Sequence, residues 1–242
     1  AILSDIHSNL AALEAVLADL KARGGADQLW CLGDIVGYGP DPGECLELLR
    51  WQDHICVAGN HDWGAAGKVD LETFNPDAAA ACLWNAQRLT EEQLRYLDGL
   101  PLELQASDFT LVHGSPRDPI WEYLLSEPAA WESFQRLGTR CCLIGHSHIP
   151  LFFEAMPEEE IARQRELPEG VALQLGERRL IINPGSVGQP RDGNPKASYA
   201  LYDAEAGLLW HYRVPYDMAV TQEKMMKEHL PPRLAARLSY GR

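Results

Sequence analysis

No stretch of these 242 residues approaches the roughly 18 consecutive apolar positions of a membrane-spanning helix, so nothing in the chain reads as a span. Positive charge is also scarce: 21 Lys and Arg against 35 Asp and Glu leave a formal net charge of −14. A surface so acidic repels phosphate backbones and anionic lipid, which argues against a reader of duplex nucleic acid and against a peripheral membrane protein. A ligand bearing phosphate would need a local positive centre set against that field, and bound metal would supply one. Cys31, Cys45, Cys56, Cys82, Cys141 and Cys142 never form a CxxC pair and mostly sit in apolar runs. They read as reduced core thiols of a cytoplasmic protein, not as a disulfide frame or zinc ligands. Repeats, low-complexity tracts and linkers are absent, which favours one compact domain over residues 1–242. The chain opens at Ala1 already inside an apolar run and leaves room for a segment upstream, a cleaved signal included.

What the chain does have is a rhythm. Through the first 145 residues short apolar runs alternate with helical patterns. Strands are expected at 1–4, 28–32, 54–58, 109–112 and 141–144, with helices over 10–20, 44–51, 76–98 and 128–137. The long pattern restarts at Thr90, whose capping box closes on Gln93. This alternation argues for an α/β layered domain with largely parallel strands. Beyond residue 149 strands dominate (149–154, 171–175, 180–182, 199–202, 208–214), and turns such as Ala204 to Gly207 favour hairpins. A second, more antiparallel sheet is therefore expected. The charged stretch from Glu158 to Glu169 reads as a solvated excursion between strands, and 217–240 as one or two helices.

Each strand of the first half ends in residues of metal-ligand type. The ends are Asp5-Ile6-His7, Gly33-Asp34, Gly59-Asn60-His61-Asp62, His113-Gly114 and Gly145-His146-Ser147-His148, which take in five of the eight histidines. Loops at the carboxyl ends of parallel strands are where open α/β sheets gather their sites. In an extended segment residues two apart share a face, so Asp5 and His7 can reach one ion together. Singly, each signal is weak: a His beside a Gly is an ordinary turn residue, and Asp34 can cap a turn. The Gly33 to Gly39 loop lacks a Walker lysine, and GxGxxG is absent, so nucleotide-fold readings fail. Their co-occurrence in this order overturns the bland readings.

As a set, the five blocks resemble those of the calcineurin-like metallophosphoesterases, and Asn183-Pro-Gly-Ser-Val-Gly188 is similar to the following loop of the small, uncapped bacterial phosphodiesterase-like branch. The resemblance implies a four-layer α/β/β/α sandwich of two mixed sheets. It also implies one divalent ion held by Asp5, His7, Asp34 and His148 and a second by Asp34, Asn60, His113 and His146, with Asp34 bridging. Imidazole, amide and carboxylate without thiolate suit manganese first, with iron, zinc or nickel as alternatives. A metal-bridging hydroxide would attack phosphorus in line, and His61, not a ligand in the family pattern, would stabilise or protonate the leaving oxygen. Asn60 would also touch the substrate.

Two departures narrow the substrate. Phosphoprotein phosphatases continue the Gly-Asp block with an Asp and an Arg; here those places hold Gly37 and Tyr38, which argues against a phosphoserine phosphatase. Ser8 stands where many relatives have Gly, a change expected to be tolerated. Asn9 either hydrogen-bonds within the site or caps the following helix. Arg191 reads first as a solvated surface residue, with contact to substrate phosphate as the alternative. His54, His211 and His229 take structural readings. The expected activity is a phosphoesterase acting on small phosphodiesters, with dinucleoside polyphosphates or phosphomonoesters as alternative substrates. A non-catalytic binding scaffold of the same fold is the competing reading, disfavoured by the intact set of ligands and His61. A nuclease is disfavoured by the acidic charge.

Overall fold

The computed structural model describes residues 1–242. Its first half comprises β1 (Ile2–Leu3), α1 (Leu10–Ala22), β2 (Leu29–Cys31), α2 (Pro42–Arg50), β3 (His54–Cys56), α3 (Asn60–Ala65), α4 (Pro76–Ala86) and α5 (Glu91–Asp98). Then follow β4 (Glu103–Ala106), β5 (Phe109–Val112), α6 (Glu127–Phe134) and β6 (Cys141–Leu143). The remainder holds β7 (Leu151–Met156), β8 (Ile161–Glu166), β9 (Leu173–Gln174), β10 (Leu180–Asn183), β11 (Ala197–Asp203), β12 (Leu208–Val214), α7 (Met218–Lys227) and α8 (Pro232–Leu238). Thr90 caps α5 with its side chain accepting from the Gln93 N–H, so the expected restart is a true helix boundary.

Strands that are apolar on both faces demand cover on both faces, and the side-chain alternation shows what covers each. Ile2 faces a cluster with Leu32, Val57, Phe109, Leu111, Leu143 and Ile182, which is the seam between two sheets. Its neighbour Leu3 faces the other way, under Leu13 and Val16 of α1 and Leu46 and Leu49 of α2. In the second sheet Val112, Cys142, Ile144 and Ile181 turn outward against Ala130 and Phe134 of α6. The order of layers is therefore helix, sheet, sheet, helix. The sheets run β3-β2-β1-β11-β12-β9 and β4-β5-β6-β10-β7-β8. In each, three parallel strands (β3-β2-β1 and β5-β6-β10) are extended by antiparallel ones, so both sheets are mixed.

The second sheet is present, but the later strands do not build it by themselves. The later strands divide, β9, β11 and β12 completing the first sheet and β7, β8 and β10 the second, because each short parallel core leaves an edge that a hairpin covers. The charged stretch after Glu158 is not an excursion: β8 pairs with β7 from Met156–Ile161 to Leu151–Glu166. It is an edge strand with mostly exposed side chains, which composition alone reads as loop. β4, half-exposed and polar, and the short α3 also escape sequence reading. All six cysteines are free and buried, as expected.

Candidate metal centre

The five strand-end blocks converge at one end of the two sheets, but not by the extended geometry expected of the first. β1 stops at Leu3, and Asp5 (φ 54°) and His7 (φ 50°) both adopt left-handed backbone. They meet because neighbouring loops fix their backbone: the Asp5 carbonyl accepts from Ser186 Oγ at 2.7 Å and the Gly188 N–H at 2.9 Å, and the His7 N–H donates to the Asp34 carbonyl at 3.0 Å. Of ten non-glycine residues with positive φ, seven (Asp5, His7, Ser8, Asp34, Tyr38, His146, His148) lie in these loops. Such strain persists only where surroundings over-determine it, and it gathers at functional sites. At Ser8 the Oγ offsets it by donating to Asn85 at 2.6 Å. Gly59 has no alternative, since a Cβ there would fall 2.0 Å from Asp34 Oδ1.

Three groups of potential ligands lie within coordination reach of one another: Asp5, His7 and His148; His7, Asp34 and His61; and Asp34, His113 and His146. All are buried. Four imidazoles have one nitrogen engaged by a backbone carbonyl. His7 Nδ1 meets Val36 O at 3.0 Å, His113 Nδ1 meets Leu32 O at 2.8 Å, His148 Nδ1 meets Gln189 O at 2.6 Å and His146 Nε2 meets Trp121 O at 3.1 Å. Holding the proton on the carbonyl side fixes the tautomer and, in the neutral rings of His7, His146 and His148, leaves the other nitrogen as a bare lone pair. His7 Nε2 and His148 Nε2 then face each other at 3.1 Å, beside an Asp5 Oδ1 that is buried without a donor. Two lone pairs and an orphaned carboxylate oxygen repel unless a cation lies among them, so these residues fit a metal ion. Asp34 Oδ2 lies 3.6 Å from His7 Nε2 and 3.3 Å from His113 Nε2, between the two groups. His113 Nε2 is also 3.1 Å from His146 Nδ1 and 3.2 Å from Asn60 Oδ1.

The charges agree. Burial opposes ionisation of Asp5 and Asp34, yet the imidazoles around them hold both carboxyls below their usual range. Burial keeps His7, His148 and His146 neutral, the last lowered to about 3. Burial also works against His113, but the Asp34 carboxylate overrides it and raises this group to about 9. In the metal-free site a proton on His113 thus stands where a cation would, and metal uptake would release it.

His61 lies within this cluster. Its backbone N–H donates to Asp34 Oδ1 at 2.8 Å, and its ring packs against Tyr38 (4.4 Å between centroids), Phe74 (4.9 Å) and His7 (5.0 Å). Burial, opposed by the Asp34 charge, lowers it to about 4, so it is neutral near pH 7. No carboxylate orients it: Nδ1 is buried without a partner, and a Cβ at Gly37 would come within 2.5 Å of that atom. Arg191 is not the solvated surface residue first expected. It is half-buried, donates to Gln189 Oε1 at 2.8 Å and approaches the Tyr38 hydroxyl at 3.4 Å, and its charge acts on His61 and His148. The surface reading fails because the adjacent Asp192 pairs with Arg213 instead, leaving Arg191 to turn inward. Asn9 caps α1 by accepting from the Ala12 N–H, and its remaining bonds go to Gly188 O, Tyr216 and Thr221, none of them to a candidate ligand side chain.

Sequence reasoning passed over three residues here. Asp62 is wholly buried, and its carboxylate accepts from the N–H groups of Asp34 (2.8 Å), Gly59 (3.0 Å) and Val36 (3.2 Å), so it clamps two ligand loops together. Asn85 accepts from the Gly37 N–H and donates to the Gly39 carbonyl, holding the loop under Tyr38. Tyr123, half-exposed, stacks on His146 with ring centroids 3.9 Å apart. Asp62 was visible in its block, but carboxylates that serve backbone amides carry no spacing signal.

A family model described as the calcineurin-like phosphoesterase superfamily domain matches residues 1–207. The fold resembles the crystal structure of a metallophosphoesterase from Sphaerobacter thermophilus, with a TM-score of 0.90 and 44% identity, covering 100% of this chain and 98% of that one. An uncharacterized protein of Methanocaldococcus jannaschii is 43% identical over 247 residues, covering 100% of this chain and 98% of its own length. A phosphodiesterase of Escherichia coli strain K12, YfcE, is 31% identical over 211 residues, covering 83% of this chain and 84% of that protein.

Proposed function

The chain belongs to the calcineurin-like phosphoesterase superfamily, and from that membership and the buried double cluster we propose that it hydrolyses small phosphodiesters with the help of two divalent metal ions. Asp5, His7, Asp34 and His148 hold one ion and Asp34, Asn60, His113 and His146 the other. The observation that carries this reading is the pair of bare imidazole nitrogens 3.1 Å apart beside an orphaned Asp5 oxygen, with Asp34 reaching toward both groups. When bound, two such ions lower the pKa of water toward neutrality and offset phosphate charge. The donor set suits manganese, iron, zinc or nickel.

The chain's own groups do the rest. The four carbonyl locks aim the imidazoles in advance, three of them as lone pairs and His113 once it gives up its proton, so little ordering is needed on binding. His61, neutral at working pH, donates a ring N–H to the leaving oxygen and stabilises it by hydrogen bonding. Arg191, turned toward the site, holds a phosphate oxygen. Without a carboxylate behind His61 or an arginine at position 38, the site lacks the equipment expected for phosphoserine peptides, so these should turn over more slowly than an activated diester.

The test is metal analysis joined to hydrolysis of bis(p-nitrophenyl) phosphate. Two ions per chain are expected, with loss of activity but not of fold on chelation. Asp34→Asn should weaken both sites and Asp5→Asn one. Trace metal with full activity, or chelated protein still hydrolysing the diester, overturns the proposal.

A further inference from the structure

A histidine ring turns on a torsion with broad, shallow minima, so something outside the residue has to fix its plane. For His7, His113, His146 and His148 a backbone carbonyl does so. His61 has no such lock, since its Nδ1 is buried without a partner. What bounds this ring is aromatic. Tyr38 lies 4.4 Å away at an interplanar angle of 49°, His7 5.0 Å away at 83° and Phe74 4.9 Å away at 85°. Gly37 closes the Nδ1 side, where any larger residue would strike the imidazole.

Phe74 belongs to none of the five strand-end blocks, yet its place is closely specified. It follows a single 3₁₀ turn over Leu71–Thr73, and its N–H donates to the Leu71 carbonyl at 3.1 Å. It precedes Asn75, which caps α4 by accepting from the Ala78 N–H at 3.0 Å. With both flanks pinned, the ring lies back over α3, the helix that carries His61. Residues three apart share a helix face, and Gly64, three after His61, is the seat. A Cβ there would lie 3.2 Å from Phe74 Cζ and 2.9 Å from Cys82 Sγ. Trp121 meets the same Phe74 ring at 5.3 Å and 77°, while the Trp121 carbonyl locks His146 Nε2 at 3.1 Å. The loop beside His61 is thereby tied to the loop that aims a candidate ligand.

We propose that Phe74 is the positioning residue of His61: its ring, backed by Trp121, takes the place of the carboxylate that is absent behind this histidine and holds the imidazole in the plane from which it serves the leaving oxygen. The inference rests on the proposed function, which gives His61 that role. Tyr38 bounds the imidazole as well, but it also packs on His7 and approaches Arg191, so its loss would mix several effects. The aromatic contacts of Phe74 are with His61 and Trp121, and none is with a candidate ligand side chain. Its removal therefore tests the wall alone.

The metal-loaded full chain is assayed on methyl p-nitrophenyl phosphate and on methyl phenyl phosphate, whose leaving phenolate is the more basic, with metal content measured for every variant. Displacing a reacting group by about 1 Å can cost about 100-fold, so Phe74→Ala should lower kcat on the phenyl ester by about ten- to hundredfold. The loss on the nitrophenyl ester should be clearly smaller, with KM little changed on both. Phe74→Leu, which refills most of the volume, should recover part of the loss. In a His61→Ala background Phe74→Ala should add nothing to the leaving-group dependence, because the two residues act as one unit. Crystals of chelated Phe74→Ala should show the His61 ring turned or split between orientations, with the four carbonyl-locked imidazoles unmoved. A His61 ring in its wild-type place, an equal loss on both esters, a rise in KM with kcat unchanged, or a full further loss in the His61→Ala background overturns the positioning role and leaves the metal reading standing. If only the leucine variant folds, kinetics identical to wild type overturn it equally. His61→Ala without leaving-group dependence, or wild type inert on both esters, overturns the role of His61 and this inference together.

Discussion

Asp62→Ala should cost the metal-free protein several kcal/mol of stability, although Asp62 is no proposed ligand. Its Oδ2 accepts from the Asp34 and Gly59 N–H groups and its Oδ1 from that of Val36, all in a wholly buried position. Each buried donor left without a partner costs about 1–3 kcal/mol, so three sum to about 3–9 kcal/mol. Part of this is offset, because burial and the Asp34 charge push Asp62 up to about 7 and the wild-type carboxylate is itself held against repulsion. A net loss of about 2–5 kcal/mol follows. Asp62→Asn keeps a carbonyl oxygen where Oδ2 sits and loses only the Val36 bond, so it should cost about 1–3 kcal/mol. The sign with pH is also determined. A carboxyl whose folded value is raised from 3.8 to about 7 contributes stability below its unfolded value and loses it as pH rises through the folded one. The penalty of Asp62→Ala should therefore be larger in mild acid than above neutrality. Urea unfolding of chelated protein measures this without the metals' own contribution to stability. An alanine variant within about 1 kcal/mol of wild type, or an asparagine variant less stable than the alanine one, would refute the clamp.

Two further outcomes are expected. His61→Ala should keep both metals and lose more activity on an alkyl ester, whose leaving alcohol is basic, than on a nitrophenyl ester; general acid or donor groups contribute up to about 10²–10⁴-fold. Loss of a metal from that variant would make His61 a ligand. His211, buried against Ser198 Oγ at 2.7 Å, is lowered from 6.5 to about 4 by burial first and the Arg213 charge second. The folded protein keeps it neutral, so it withdraws up to roughly 3 kcal/mol of stability as pH falls through that window. His211→Gln, whose amide can still reach Ser198, should unfold with a shallower acid dependence, and an unchanged slope would count against this.

How much of the centre could be read beforehand depends on where each residue's partner lies. The blocks at 5–7, 33–34, 59–62, 113–114 and 145–148 were legible because a site built at strand ends writes its side chains as short contiguous groups after apolar runs. Thr90 was legible for the same local reason, since its cap partner Gln93 is three residues away. Asp62 was seen and its role missed, because its partners are backbone amides, which every residue possesses. The extended reading of Asp5 and His7 failed because their left-handed backbone is fixed by Ser186, Gly188 and Asp34, contacts a local pattern cannot carry. β8 was hidden by its exposure: an edge strand with one pairing side has charged outer positions, like a loop.

Arg191 shows the same limit in its strongest form. Arg191 reads from the sequence first as a surface residue, with phosphate contact as the alternative, yet Asp192 pairs with Arg213 of β12 and Arg191 turns inward. The C-terminal segment that docks on the same loop, with the Gly193 N–H donating to the Gly241 carbonyl at 2.9 Å, carries no motif at all. The candidate metal ligands are thus written locally, in blocks tied to the strand ends, whereas the surroundings of Arg191 are set by contacts between distant loops and the C-terminal segment.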